Sequence, residues 1–246
     1  MTPVYLHGLS LAAPGLPGWP ESQLILAGKQ AYQAQPLATL KPSLLPANER
    51  RRTTQLINLA LHAAQEAVAQ GVPTASLVAS VFASSGGDCA IVDKLCTALT
   101  LPGRPISPTH FHNSVHNAAA GYWTIATGCM QPSISLSAYD WSFSAGLLEA
   151  VTFAQVEGVP ALLVAYDYPA PFPLSEARPL LAPFATALVL SVEKTASAFG
   201  SLRLQLTDQG PEDRIEPAEL ERLRNGNPAA RSLPCCKRLP AVLHAR

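Results

Sequence analysis

Residues 132–142, Pro132-Ser133-Ile134-Ser135-Leu136-Ser137-Ala138-Tyr139-Asp140-Trp141-Ser142, read as a strand, a sharp turn and the approach to a helix. Ser133 to Ser137 alternates like a strand, and Ser144 to Val156 is helical. A turn placed between the two presents its side chain at a helix amino terminus. There the helix dipole and free backbone amides lower a thiol pKa and stabilise an oxyanion, and acyl-transfer enzymes hold their nucleophile in this way. The turn here carries Asp140, with no cysteine nearby, since Cys129 precedes the strand. A helix amino terminus favours a carboxylate in its charged form. Aspartate is also among the best helix caps, so a cap is the first expectation for Asp140. Contact with an acyl chain or a partner comes second, and a catalytic carboxylate third.

Working outward, Val4 to Leu9 reads as an opening strand. Residues 13–47 follow as a surface excursion rich in proline and glycine, with one short helix near Leu24-Ile25-Leu26. Leu56, Leu59, Ala60, Ala63, Ala67 and Val68 recur at helical spacing until Gly71 and Pro73 stop the helix. Leu77 to Ser84 is a strand, and Ala90 to Leu99 a helix. The stretch His110 to Trp123, rich in alanine, reads as one buried, tightly packed helix. Pro160 to Tyr166 is a continuous apolar run that suits a strand covered on both faces. Thr186 to Val192 and Ser201 to Leu206 are two further strands. The order β-α-β-α-α-β-α-β-β-β predicts an α/β fold with a mixed sheet. The expected division is a domain over 1–206 and a polar extension over 207–246 with one short helix, Ala218 to Arg224. Adjacent Cys235 and Cys236 point apart and are expected in a mobile tail.

Composition narrows the function. The 246 residues are 48% apolar and only 14% charged, so part of the surface is expected against another chain. Seventeen basic residues balance seventeen acidic ones, with no basic stripe of the kind nucleic acid requires. Arg50-Arg51-Arg52 is short enough to be a solvated helix start. No segment approaches the roughly 20 apolar residues of a membrane span. Residues Met1 to Ser10 lack the features of a signal peptide. Five cysteines without repeated spacing fit a reducing compartment, so the cytoplasm is expected.

His112 and His116 stand four apart, and on one helix would share a face, as in many zinc sites. No acidic residue nearby completes a shell, so no metal is expected; hydrogen bonds across a packed interface are the simpler role. Ser84-Ser85-Gly86-Gly87-Asp88 lacks the lysine and glycine spacing of a phosphate-binding loop. Ser142-Phe143-Ser144-Ala145-Gly146 has no glycine before its serine, and is not a hydrolase elbow.

The stretch Pro132 to Ser142 resembles the segment of β-ketoacyl synthases that ends in the cysteine nucleophile and its following serines. Phe111-His112-Asn113-Ser114-Val115-His116-Asn117-Ala118-Ala119-Ala120-Gly121 resembles the stretch those enzymes place before it, near their dimer interface. Leu6-His7-Gly8-Leu9-Ser10 and Phe82-Ala83-Ser84-Ser85-Gly86-Gly87 fit the first two strands of that fold. The resemblance spans roughly residues 1–206 and implies a thiolase-like half: a mixed five-stranded sheet with helices on both faces.

Asp140 takes the nucleophile's place in this resemblance. The second half that supplies two catalytic histidines in such enzymes has no counterpart within these residues. None of His7, His62, His110, His112, His116 and His244 stands in for them. The chain is therefore expected to be a non-catalytic subunit similar to a chain-length factor, of the type found with aryl polyene pigment clusters. The implied partners are a full-length β-ketoacyl synthase, in a heterodimer, and an acyl carrier protein; no nucleic acid, membrane span or cofactor is implied. The expected contact residues are Phe111, His112, Asn113, Ser114, His116, Asn117, Tyr122 and Trp123. Asp140, Ser142 and Phe143 are the residues expected near an acyl chain. A stand-alone acyl-thioester hydrolase or acyltransferase using Asp140 is the alternative, and an acyl-binding scaffold a third. With one half missing, Leu147, Leu148, Val151 and Phe153 need a cover, either the carboxy-terminal tail, a second copy or the synthase.

Overall fold

A segment with almost no polar side chain can only be a strand if both its faces are covered. Two such segments, Ala161–Asp167 and Phe184–Ser191, are buried at every position and form the centre of the sheet. The computed structural model describes residues 2–71, 74–207 and 213–239.

The strands are β1 (Val4–Ala12), β2 (Ala79–Ala83), β3 (Ser133–Leu136), β4 (Ala161–Asp167), β5 (Phe184–Ser191) and β6 (Gly200–Leu202). Their order across the sheet is β3-β2-β4-β5-β1-β6. β2 runs parallel to β3 and β4, while β5 is antiparallel to β4 and β1, and β6 to β1. The class is mixed α/β. The sheet has six strands, as the sequence order counts and one more than the five that the resemblance implies; the sixth, the three-residue β6, pairs onto the edge of β1.

The helices up to the first half of the sheet are α1 (Trp19–Leu26), α2 (Ala47–Arg50), α3 (Gln55–Gly71), α4 (Cys89–Thr100) and α5 (Pro108–Asn113). After them come α6 (Ala118–Thr127), α7 (Ser142–Val156), α8 (Leu174–Ala177), α9 (Ala218–Gly226) and α10 (Leu233–Lys237). Side chains alternate across a strand, so β4 feeds both faces. Leu162 and Val164 pack with α3 and α6, whereas Leu163 and Ala165 pack with α7. α7 lies very close to the sheet: a Cβ at Gly146 would stand 2.8 Å from Ala83 Cβ and Leu163 Cδ1.

Three expectations are corrected. First, His110 to Trp123 is not one helix. α5 ends at Asn113, and a turn over 114–117 precedes α6. Asn113 Nδ2 donates to the Arg52 carbonyl at 2.6 Å and Ser114 Oγ to the Phe111 carbonyl at 2.8 Å. Such side-chain bonds to backbone compete with the helix. His112 and His116 therefore do not share a helix face. Second, Cys235 and Cys236 are not in a mobile tail. Cys236 is buried in the same core as Ile215, Leu220, Leu223, Ala229 and Leu233. Third, β6 stops at Leu202, short of the expected Leu206.

The cover for α7 is that carboxy-terminal segment. Leu147 and Val151 are buried, Leu148 and Phe153 half-buried, and the turn over 229–232 packs directly on α7.

Candidate functional site

β3 ends at Leu136, and the chain must turn sharply to enter α7 at Ser142. Tyr139 supplies the turn with a backbone φ of +52°, a conformation that non-glycine residues seldom adopt. Ser142 closes it: Ser142 Oγ accepts from the Ala138 amide at 3.0 Å and donates to the Tyr139 carbonyl at 2.7 Å.

Asp140 sits inside this single 3-10 turn and caps neither it nor α7, contrary to the first expectation. The hydroxyl of Ser142 already satisfies the turn, and the Asp140 carboxylate reaches outward. Its Oδ1 lies 2.7 Å from Arg178 Nη2. The Arg178 guanidinium in turn lies 3.7 Å from the centroid of the Tyr139 ring. Arg178 is thus held between the carboxylate and the aromatic face of two consecutive turn residues. An arginine so placed gains from both the ion pair and the ring quadrupole. The Asp140 side chain is 40% exposed and that of Arg178 21% exposed.

Beside this turn, at the carboxyl ends of β2 and β4, lies a group the sequence reading passed over. Asp167 is 2% exposed. Its Oδ1 accepts from Ser84 Oγ at 3.0 Å, Ser85 Oγ at 2.9 Å and the Ser85 amide at 2.8 Å. Its Oδ2 is buried without a hydrogen-bond partner. Burial pushes this carboxyl up to about 6, against the pull of the Ser85 and Ser84 hydrogen bonds and the more distant Arg178 charge. The sequence signal was available: an acidic residue closes an otherwise apolar strand, opposite a Ser-Ser turn. The same turn is tied to its neighbours through its backbone. His116 bonds the Ser84 carbonyl at 3.0 Å and Ser137 Oγ donates to the Ser85 carbonyl at 3.0 Å.

The chemistry open to this arrangement is narrow. Cys89 opens α4 near these carboxylates, but burial, then Asp88 and Asp167, push its thiol up and away from the thiolate. Among the described residues, no histidine bonds Asp140 or Asp167. Ser142 is fully engaged by the turn, and Phe143 is buried in the α7 core. Among the described residues, neither lines any of five surface clefts of about 230–640 Å³, nor does Asp140.

The eight residues expected at a partner contact divide in two. Phe111 is 67% exposed, and His112, Ser114, His116 and Asn117 lie wholly or partly at the surface. Asn113, Tyr122 and Trp123 point inward, where Tyr122 donates to Asn113 Oδ1 at 3.2 Å and Trp123 packs in the α3–α6 core. Asn113 ends α5 on its buried side, and Tyr122 and Trp123 lie on α6, beyond the 114–117 turn. Among the described residues, β3 is the outermost strand at that side of the sheet. α6 packs against β3, and Ile125 on α6 and Met130, three residues before β3, are exposed.

The family model described as "Beta-ketoacyl synthase, N-terminal domain" matches residues 19–238. No curated protein matches the chain in sequence. Among solved structures, the chain is similar to one in the ketosynthase ApeO in complex with its chain length factor ApeC, from Xenorhabdus doucetiae. Identity there is 26% and the TM-score 0.65, over 78% of this chain and 80% of that one, so the two chains are of similar length. The ishigamide ketosynthase/chain length factor gives 16% identity and a TM-score of 0.60, over 77% of this chain and 62% of that one. A β-ketoacyl synthase from Burkholderia phymatum gives 15% identity and a TM-score of 0.63, over 78% and 60%. The chain thus spans about three fifths of the length of these last two, which share its fold.

Proposed function

The chain belongs to the β-ketoacyl synthase amino-terminal-domain family, and on that premise we propose that it is a non-catalytic subunit of chain-length-factor type. It pairs with a complete β-ketoacyl synthase that extends an acyl chain, borne on an acyl carrier protein, by decarboxylative condensation. The observation that carries this reading is the state of the turn between β3 and α7. Where the family places its nucleophilic cysteine, this chain has Asp140, and the carboxylate is engaged by Arg178 rather than facing a cleft. A carboxylate so paired is a poor acyl acceptor, and among the described residues no histidine bonds it. The similarity to a chain of like length in a ketosynthase–chain length factor complex supports a partner of the same kind. An aryl polyene product and a cytoplasmic setting follow from the same resemblance and belong to this proposal.

The partner surface is the β3 edge with the outward residues of the 111–117 stretch: Phe111, His112, Ser114, His116 and Asn117. Unpaired strand edges and clustered apolar side chains are costly to leave in water. The experiment is co-expression with a ketosynthase from the same genome, followed by mass determination of the purified species. A one-to-one complex whose condensation activity survives Asp140→Ala is the expected result. A chain that forms no complex with any such synthase, or a complex that loses condensation with Asp140→Ala, overturns the proposal.

A further inference from the structure

The turn that follows β2, residues 84–87, joins the buried Asp167 carboxyl to the surface. On its inner side Ser84 Oγ, Ser85 Oγ and the Ser85 amide all donate to Asp167 Oδ1, at 3.0, 2.9 and 2.8 Å. On its outer side the same turn holds two parts of the proposed partner surface. A carbonyl can only accept, so His116 Nε2 donates to the Ser84 carbonyl at 3.0 Å. A Cβ at Gly87 would stand 3.3 Å from His116 Cδ2, so the turn also packs on that ring. At the end of β3, Ser137 Oγ donates to the Ser85 carbonyl at 3.0 Å, and the Leu136 carbonyl accepts from the Ser84 amide at 3.1 Å. Gly86 is exposed and Gly87 has a φ of +62°, so the bend falls on two adjacent glycines that can hinge.

We propose that this turn is a proton-operated latch: with Asp167 neutral it holds the 114–117 turn and the end of β3 in place, and with Asp167 ionised it opens and releases them. The reason lies in the second oxygen. Asp167 Oδ2 is buried without a hydrogen-bond partner among the described residues, where an ionised carboxylate lacks the solvation it has in water. A proton on Oδ2 removes the charge and leaves Oδ1 accepting as before, whereas lifting the turn admits water to the ionised form. The charged and titratable groups nearby are Arg178 after α8, Asp88 and Cys89 where α4 begins, Tyr166 on β4 and His116 behind the turn. Asn227, after α9, brings only an amide. Farther along the elements packed on β4, Glu66 on α3 bonds Ser10 and the Trp19 amide with His62 beside it. Arg231 lies on the Trp141 ring, and Glu149 stands midway along α7. Burial raises the Asp167 carboxyl to about 6 from an ordinary 3.8, outweighing the Ser85 and Ser84 bonds and the Arg178 charge. The closed turn therefore binds the proton more tightly than an open one that exposes the carboxyl to water. The latch is shut below about pH 4, loosens as pH rises toward 6, and is fully biased to open above it.

That the released residues belong to a surface that meets a synthase rests on the pairing proposed above; the latch is measured on the isolated chain, so either can fail without the other. Hydrogen–deuterium exchange of the full chain is followed from pH 4 to 8, each rate divided by the intrinsic chemical rate at that pH. The expected result is a corrected rate over residues 84–88 and 114–117 that grows about ten- to a hundredfold, the ceiling for a shift of about two units. The rise levels off above about pH 6, while β4 and β5 stay protected. Asp167→Asn is flat over the same range. Ser85→Ala removes a bond that draws the carboxyl down, so its rise levels off at a higher pH; it keeps the carboxyl and decides the matter where Asp167→Asn does not fold. A parent whose corrected exchange ignores pH, or an equal rise in Asp167→Asn, overturns the proposal. So does a rise that leaves 114–117 unmoved, or a Ser85→Ala profile that coincides with the parent's.

Discussion

Arg178 Nη2 lies 2.7 Å from Asp140 Oδ1, and this contact links the β3–α7 turn to the segment that follows α8. The pair is partly exposed, and such pairs contribute only about 0.2–1 kcal/mol. Asp140→Ala is therefore expected to lower stability by no more than about 1 kcal/mol. Arg178→Ala removes the contact with the Tyr139 ring as well and is expected to cost more. Urea denaturation of both single variants and the double variant closes the cycle, and a coupling of zero would mean that the two side chains are not held together in solution.

Asp167 gives the chain a pH dependence of known sign. Its carboxyl is raised to about 6 in the fold from an ordinary value of 3.8, so the folded state binds this proton more tightly than the unfolded one. Its destabilising cost is absent below about pH 4, grows as pH rises through 6, and is complete above it. A shift of about two units corresponds to roughly 3 kcal/mol. Asp167→Asn keeps an oxygen for Ser84 and Ser85 but carries no charge. The variant is expected to be more stable than the parent at pH 8 and to lose the difference near pH 4. Equal pH profiles of melting temperature for the two proteins would show that the carboxylate is already well solvated.

The strand–turn–helix at 132–156 was legible in the sequence because local spacing determines it, and β4 and β5 because a long apolar run admits few other readings. What escaped depended on distant contacts. The helix break after Asn113 rests in part on a bond to the distant carbonyl of Arg52, and its one local contributor is the Ser114 hydroxyl bonded to the Phe111 carbonyl. The polar composition after Thr207 concealed a packing segment, since Ile215, Leu220 and Leu223 bury themselves in the core that also holds residues of α7 and β1. The turn at Asp140 was located correctly, but its partner, Arg178, lies in the loop after β4, where no motif points to it.

That carboxy-terminal anchor rests on Glu221. Its carboxylate takes Arg224 Nε at 2.8 Å, Arg224 Nη2 at 2.7 Å and the Ile215 amide at 3.1 Å. The Arg224 hydrogen bonds, foremost among these contacts, hold the carboxyl down at about 2. A lowered carboxyl stabilises above its unfolded value of 4.5 and loses that contribution as pH falls toward 2. Glu221→Gln leaves the buried Arg224 without its carboxylate and is expected to cost about 2–4 kcal/mol at pH 7, narrowing as the pH is lowered. Limited proteolysis of the 213–239 segment checks this, with a variant as resistant as the parent refuting it.

The proposed partner surface separates cleanly from the core beneath it. Phe111 and Met130 are exposed, so Phe111→Asp and Met130→Lys leave the isolated fold intact. In the complex each places a charge against apolar surface, and together they are expected to weaken association with the synthase at least tenfold, an effect of more than about 1.4 kcal/mol. Trp123 behaves oppositely. It is buried within this chain, and Trp123→Ala is expected to cost about 3–5 kcal/mol of stability. Thermal melts of the isolated variants, read beside their co-purification with the synthase, distinguish the two effects. Full co-purification of the Phe111→Asp/Met130→Lys variant would move the interface away from the β3 edge.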